Sequence, residues 1–172
     1  CERGFIGMCT GAAMTGARPI VDFMFVDFLL DGIGELFNQT AKMQYMSNGR
    51  LKMPMVLRGC IGIGNSASTH HSGSYYPIFT HIPGFHVVLP SNASDAKGLF
   101  ATALKSDNPV IFLEHKLLLN QKEHVQEGTY EIPFGQARVV REGNDATIVA
   151  LSVMVHHTMN AAASLANEGL SI

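Results

Sequence analysis

Three short runs of the chain, residues 54–58, 85–89 and 109–114, are apolar at nearly every position instead of at alternate ones. A strand of that kind has no face to give to water, so it must be covered on both sides, as strands of a parallel sheet between helical layers are. Residues 95–105 carry helical spacing between the second and third runs, and residues 91–94 (Ser-Asn-Ala-Ser) offer N-caps for that helix. A fourth short run, 19–23, precedes a long amphipathic stretch, 27–46, with Phe28, Leu29, Ile33, Leu36, Phe37 and Ala41 at helical spacing. Residues 4–15 are apolar nearly all round and stop at Gly16, which predicts a buried helix with a glycine end signal. The expected fold class is α/β: a mostly parallel sheet with helices on both faces, followed by the start of a second α/β domain.

The division along the chain follows from where this pattern lapses. From residue 116 to 133 it turns polar and irregular, and after it come candidate strands at 135–141 and 147–151 around a Gly143-Asn144-Asp145 turn, then a helix at 155–167. The expected organisation is therefore a domain over 1–117, a linker over 118–134 and the opening of a second domain over 135–172. A Cys at position 1 and an incipient strand at residues 170–172 make the chain read as a piece cut at both ends.

Composition narrows the function classes. Charged residues are 15% of the 172, against about 25% in ordinary soluble domains, and mean hydropathy is +0.15. So little charge suggests that partner subunits cover part of the surface. Net charge is −2 with no basic run, which speaks against nucleic acid. The most apolar stretch, 20–33, is interrupted by Asp22, Asp27 and Asp31, short of the ~18 uncharged residues a membrane span needs. Three cysteines at no metal-like spacing suit a reducing compartment.

Several residues invite a chemical reading beside a plainer one. Gly62-x-Gly64-x-x-Ala67 matches a dinucleotide fingerprint in form, but no helix pattern follows it and no acid ends the next strand. His70-His71, in a loop rich in Gly and Ser, can serve as proton donors over a cleft or stand as ordinary exposed loop residues. Eight histidines raise the question of zinc, yet their spacings match no metal motif. Gly7 and Gly11 share one face of the first predicted helix, where glycine is costly, so they point to close approach by another element. Packing within the same chain explains them equally well. Glu2, at the mouth of that helix, could simply favour the positive end of its dipole.

Read together, Glu2-x-x-x-x-Gly7-x-x-x-Gly11-Ala12-Ala13-Met14-x-Gly16-x-Arg18-Pro19, Phe25-Val26-Asp27-Phe28 and Ala41-Lys42-Met43-x-Tyr45-Met46 resemble one family. It is the β subunit of the thiamin-diphosphate-dependent 2-oxo acid dehydrogenases and acetoin dehydrogenases. The match continues through Pro54-Met55-Val56-x-Arg58, His71-Ser72, His81-x-Pro83-Gly84, Asp95-Ala96-Lys97-Gly98-Leu99 and the run from Asp107 to Lys116, so it covers nearly the whole chain.

The resemblance implies a transketolase-like pyrimidine-binding domain followed by the start of a transketolase C-terminal domain. It also implies a cofactor shared between subunits. The α subunit would hold the diphosphate and Mg²⁺, consistent with the lack of a Gly-Asp-Gly motif here, and this chain would hold the aminopyrimidine. Glu2 matches the glutamate whose carboxyl group bonds the pyrimidine ring nitrogen and favours the imino tautomer. In that tautomer the exocyclic nitrogen removes the thiazolium proton. Phe28 matches the aromatic residue stacked on the pyrimidine, and His71 matches the histidine acting during decarboxylation and acyl transfer to lipoamide. His70 and Gly73 depart from the family's usual residues on either side of it. Gly7 and Gly11 match a helix-packing motif at the subunit contact. The carbonyls of Met55, Ala103, Ser106 and Asn108 correspond to a structural potassium site in some relatives.

The function expected from the resemblance is thus oxidative decarboxylation of a 2-oxo acid, pyruvate first, or cleavage of acetoin. The partners implied are an α subunit, a second β subunit and a lipoyl-bearing acyltransferase core. The compartment would be the cytoplasm in a prokaryote, or the mitochondrial matrix or plastid in a eukaryote. Two rivals stand beside it: a nucleotide-binding α/β module built on residues 62–67, and a non-catalytic scaffold subunit that keeps the fold.

Overall fold

A computed structural model describes residues 1–172. Four strands, β1 (Ile20–Phe25), β2 (Val56–Ile61), β3 (His86–Val88) and β4 (Val110–His115), form one sheet in the order β1-β2-β4-β3 with every pair parallel. The central pair shows why the apolar runs had to be strands: all of Val110, Ile111, Phe112 and Leu113 are buried, so β4 is covered on both faces. On one face Val21, Phe23, Leu57, Ile61, Ile111 and Leu113 join the main core. Its other side comes from helix α1 (Glu2–Met14), a 3₁₀ segment (Val26–Gly32), a π-helical segment (Glu35–Thr40) and helix α3 (Tyr76–His81), through Ile6, Ala13, Leu29, Leu36 and Phe79. On the opposite face helix α4 (Ala93–Lys105) lays Ala103 against Val56, Val88, Val110 and Phe112. Asn92 caps α4, its Oδ1 accepting the Asp95 N–H at 2.7 Å.

Three expectations need correction. The first predicted helix forms but is not buried all round: only Ile6, Thr10 and Ala13 are covered, while Met8 is 69% exposed and Gly7 and Gly11 face outward. A Cβ on Gly11 would meet nothing within 4 Å, so packing within this chain does not explain that glycine.

The stretch 27–46 is not one α-helix. The backbone passes from a 3₁₀ to a π segment before the short α2 (Met43–Met46), although the buried residues Val26, Leu29, Gly32, Leu36 and Thr40 keep the three- and four-residue spacing of an ordinary helix face, which is why the periodicity does not reveal the change. Gly32 sits under α1: a Cβ there would lie 2.2 Å from Cδ1 of the fully buried Ile6, whose side chain would have to move to admit it. The two layers are then pinned by a 2.7 Å hydrogen bond between the buried hydroxyls of Thr10 and Thr40.

The strands predicted at 135–141 and 147–151 do not form, although helix α5 (Met154–Ala166) does. A strand requires a neighbour for its N–H and C=O groups, and none lies beside these runs; Val139 and Val149 are 69% and 87% exposed. The intervening turn instead bonds the chain's last residues, the N–H groups of Asn144 and Asp145 both donating to the Ser171 carbonyl at 3.0 and 2.9 Å. The polar segment before it is strapped along α4 rather than free, with Lys97 Nζ donating to the Gln126 carbonyl (2.6 Å) and Thr102 Oγ1 to that of Ile132 (2.7 Å).

Gly84 tests the packing between α3 and the loop after the π segment. Its φ is +119°, and a Cβ would lie 2.1 Å from the Ala41 carbonyl oxygen. Gly84→Ala should therefore destabilise the subunit by about 1–3 kcal/mol or more in urea unfolding. Gly34→Ala, at helical φ −64° with nothing within 4 Å, should be neutral or stabilising by about 0.5–1 kcal/mol.

Candidate functional site

The C-terminal ends of β1, β2 and β4 emerge on one edge of the parallel sheet, where ligand-contacting residues of such sheets gather. Each delivers a side chain to the same place. β1 carries a bulge at Met24 (φ +58°, its N–H donating to Asp22 Oδ1 at 2.8 Å), which shifts the register and turns Phe25 and the following 3₁₀ segment across the end of β2. Gly59 of β2 makes room, with the Val26 backbone nitrogen 3.3 Å from where its Cβ would stand. The loop after β2 is closed at its base by the Gly62 N–H bonding the Gly73 carbonyl (2.8 Å), and it carries the 3₁₀ turn Thr69–His71.

These paths bring Phe25, Phe28 and His71 into one aromatic cluster. The His71 ring stands edge-on to Phe25 (centroids 4.5 Å, 83°) and to Phe28 (5.5 Å, 89°), and the two phenyl rings are 6.2 Å apart. Phe28 and His71, 43 positions apart in sequence, are thus neighbours. Glu2 lies on the first turn of α1, its side chain 30% exposed. That turn packs on the segment bearing Phe28, since a Cβ on Gly32 would be 3.6 Å from Arg3 Cα. His70 instead turns toward Ser68 and Thr69, with contacts of 3.4–3.5 Å at the limit of a hydrogen bond.

The remaining sequence-derived positions lie elsewhere. Gly7 and Gly11 are on the outward face of α1. Ala103, Ser106 and Asn108 lie at and just beyond the C-terminus of α4, and Met55 lies just before β2; the two segments are joined by the Met53 N–H to the Asp107 carbonyl (3.0 Å). Arg18 donates to the Ser106 carbonyl at 2.9 Å and pairs with Asp107 at 2.6 Å. Residues 62–67 lead into no long helix: Asn65, Ser66 and Ser68 take positive φ, and the chain passes directly into the Thr69–His71 turn. Nothing there supports a dinucleotide site.

Two further residues stand at this edge, His115 and Lys116. Both are buried, at 8% and 4% exposure. His115 Nδ1 accepts the Leu117 N–H at 3.2 Å, and its Nε2 lies 2.0 Å from where a Cβ on Gly62 would stand. Their only sequence signal is position, at and just after the end of a strand whose first four residues are apolar and buried. On the sheet's other face Arg58 bridges Asp22 and Glu114 at 2.5 Å each, and burial followed by the Glu114 charge pushes the neighbouring Cys60 thiol up, away from thiolate chemistry.

Burial first, then the positive charge of Lys116 and the nearness of His157, hold His115 below its ordinary pKa of 6.5. The unfolded chain then binds the proton more readily than the folded one, so this residue's contribution to stability is intact above pH 6.5 and is lost as pH falls through the lowered folded value. Thermal unfolding between pH 7 and pH 5 should show a smaller drop in Tm for His115→Gln than for the unsubstituted protein; equal slopes would contradict this assignment.

Comparison with known proteins agrees with the geometry. The family described as "Transketolase, pyrimidine binding domain" matches residues 1–122, and "Transketolase, C-terminal domain" matches residues 135–172. The β subunit of the acetoin:2,6-dichlorophenolindophenol oxidoreductase of Cupriavidus necator is 46% identical over 169 residues, covering 98% of this chain and 50% of that protein. The pyruvate dehydrogenase E1 component subunit beta of Rickettsia felis is 43% identical over 169 residues, covering 98% and 52%. The chain therefore spans about half the length of the curated relatives it matches. A solved structure titled "Split gene transketolase, inactive beta4 tetramer" superposes with a TM-score of 0.80 over 99% of this chain and 52% of that one, at 20% identity, which speaks to the fold. With most of its length matched, and with its aromatic cluster at the C-terminal edge of a parallel sheet, this chain belongs to the transketolase pyrimidine-binding domain family.

Proposed function

We propose that the chain supplies the pyrimidine-binding half of the site in the β subunit of a thiamin-diphosphate-dependent dehydrogenase. The enzyme would act on a 2-oxo acid, pyruvate first, or on acetoin. The observation that carries this reading is the edge-to-face contact of Phe28 with His71, beside the helix that begins at Glu2. The fit to an aminopyrimidine has a second support. Asp27 Oδ2, next to Phe28 in sequence, is buried without a hydrogen-bond partner in the chain, as a polar atom is when its partner comes from outside; Glu35 Oε2 is also unbonded but has Arg3 Nε at 3.6 Å, and Glu114 Oε2 and Ser152 Oγ are unbonded away from this cluster.

Thiamin diphosphate supplies, when bound, an acidic thiazolium carbon that adds to the substrate carbonyl and accepts the electrons released on cleavage. The work of this chain is to orient and to move protons. Phe28 offers a ring face for stacking, the Glu2 carboxyl group holds a proton at the pyrimidine ring nitrogen, and the His71 imidazole gives or takes a proton beside the reacting carbon. The diphosphate and Mg²⁺ fall to an α subunit, and a lipoyl-bearing acyltransferase core receives the acyl group. The names of the relatives at 46% and 43% identity support the acetoin and pyruvate branches about equally.

Under this reading residues 1–117 form the pyrimidine domain, 118–134 the connection and 135–172 the opening of a C-terminal domain. The carbonyls of Met55, Ala103, Ser106 and Asn108 do not fit a potassium ion as arranged: they accept the Val110 N–H (2.9 Å), the Ser106 N–H (3.2 Å), Arg18 Nη1 (2.9 Å) and Ser106 Oγ (2.9 Å), and the Arg18 guanidinium already places a cation at the negative end of the α4 dipole. No helix is long and apolar enough to cross a membrane; the proposed compartment is the cytoplasm of a prokaryote or the mitochondrial matrix or plastid of a eukaryote.

The test uses the full-length subunit assembled with its α partner. Glu2→Gln should remove most turnover and slow exchange of the thiazolium proton while leaving assembly intact; exchange at the unsubstituted rate would overturn the role of Glu2. His71→Ala should lower kcat by about 10²–10⁴-fold with little change in cofactor affinity, whereas His70→Gln retains most activity. Equal, small effects of the two would remove His71 from the site.

The outward Gly7/Gly11 face of α1 is assigned to the subunit contact, with the second β subunit or the α subunit. Gly11→Leu should block assembly, because a branched side chain cannot enter where two backbones meet and overpacking costs about 1–3 kcal/mol or more. Normal stoichiometry on co-purification would show the assignment to be wrong.

A further inference from the structure

We propose that Lys116 is a positioning residue that holds the His71 turn in place. Its ammonium is taken out of water, with the residue only 4% exposed, and a charge is kept there at a desolvation cost unless its partners repay it. Those partners belong to the site. Nζ donates to the backbone carbonyl of His71 itself, 45 positions away, and stands 5.4 Å from the centroid of Phe25, the ring against which the His71 imidazole packs at 4.5 Å. One cation thus fixes both the backbone of His71 and the aromatic wall behind its side chain.

The surroundings are shaped for this reach. Lys116 directly follows β4, whose pairing with β2 in strict register makes its end a rigid base. Gly64, with φ +148°, lets the Lys116 stem pass: a Cβ there would sit 3.1 Å from Lys116 Cβ. The loop it ties down needs an external hold. Asn65, Ser66 and Ser68 all have positive φ, and the loop's own bonds, Gly62 N–H to the Gly73 carbonyl and Ser72 Oγ to the Ser68 carbonyl (2.6 Å), close it without anchoring His71 to the sheet. A hydrogen bond from a charged donor, in a site of low dielectric, is the strong kind suited to that task.

The inference rests on the assignment of His71 above, so its test includes a readout independent of turnover. In the full-length subunit assembled with its α partner, Lys116→Met keeps the stem and removes the donor. Hydrogen–deuterium exchange of residues 66–73, followed by mass spectrometry, should accelerate by about tenfold. The value of kcat should fall by about 10–10²-fold, as for a catalytic group displaced by an ångström, with KM changed little. Lys116→Arg, which keeps a charged donor, should restore most of the loop protection and part of kcat. If Lys116→Met does not assemble, Lys116→Leu, which likewise has no donor, is the second variant, and it is expected to show the faster loop exchange and the lower kcat. Loop exchange at the unsubstituted rate in these variants overturns the proposal whatever happens to activity, as does a loss of activity that Lys116→Arg fails to mend. Faster loop exchange together with an active His71→Ala enzyme would instead overturn the role of His71 while leaving the anchor in place.

Discussion

The pairing of β2 with β4 is the interaction on which the rest of the molecule depends. Six consecutive residues of each strand lie in register, Val56 against Val110 through to Ile61 against His115. Because the pairing is parallel, both strands end at the same edge of the sheet. The loop bearing His71 leaves from one and the His115-Lys116 pair from the other, so the two are neighbours as soon as the ladder forms. β1 joins the same edge with a bulge that turns Phe25 over β2. Without that bulge, Phe25 and Phe28 would continue along the strand direction instead of meeting the imidazole.

The second constraint is the contact of α1 with the segment after β1. A glycine at position 32, pressed by Ile6, and the buried Thr10–Thr40 hydrogen bond hold the first helix against the 3₁₀ and π segments. This contact brings the first turn of α1, with Glu2, to the element bearing Phe28. The 3₁₀ and π segments present Leu29, Gly32, Leu36 and Thr40 to the core and to α1 along this contact. The outer face of α1, with Met8 and Gly11, remains free of this packing, and Gly7 lies at its margin, where a Cβ would stand 3.9 Å from Glu35 Cγ.

Much of the fold was legible because burial on both faces leaves a strong signal. All four strands and helices α1, α4 and α5 fall within a few residues of their predicted places, since runs such as 109–114 have no alternative that keeps them from water. The strands at 135–141 and 147–151 were misread for the complementary reason: an apolar, β-branched run is compatible with a strand, but only a hydrogen-bonded neighbour makes it one, and periodicity cannot say whether that neighbour is present. At the site, Glu2, Phe28 and His71 were reached by resemblance to a family. No spacing rule links position 28 to position 71.

The sequence by itself determined that the chain builds a parallel α/β layer structure, because its strand residues leave no side for solvent, and that its family is the one its motifs match. Tertiary structure alone decided which residues meet at the edge. The bulge at Met24, the switch from 3₁₀ to π geometry around Gly32 and the reach of Lys116 to the His71 carbonyl each depend on distances between segments far apart in sequence. Local propensity acts over a few residues, whereas the position of a side chain at the end of a parallel strand is set by strands and helices dozens of residues away.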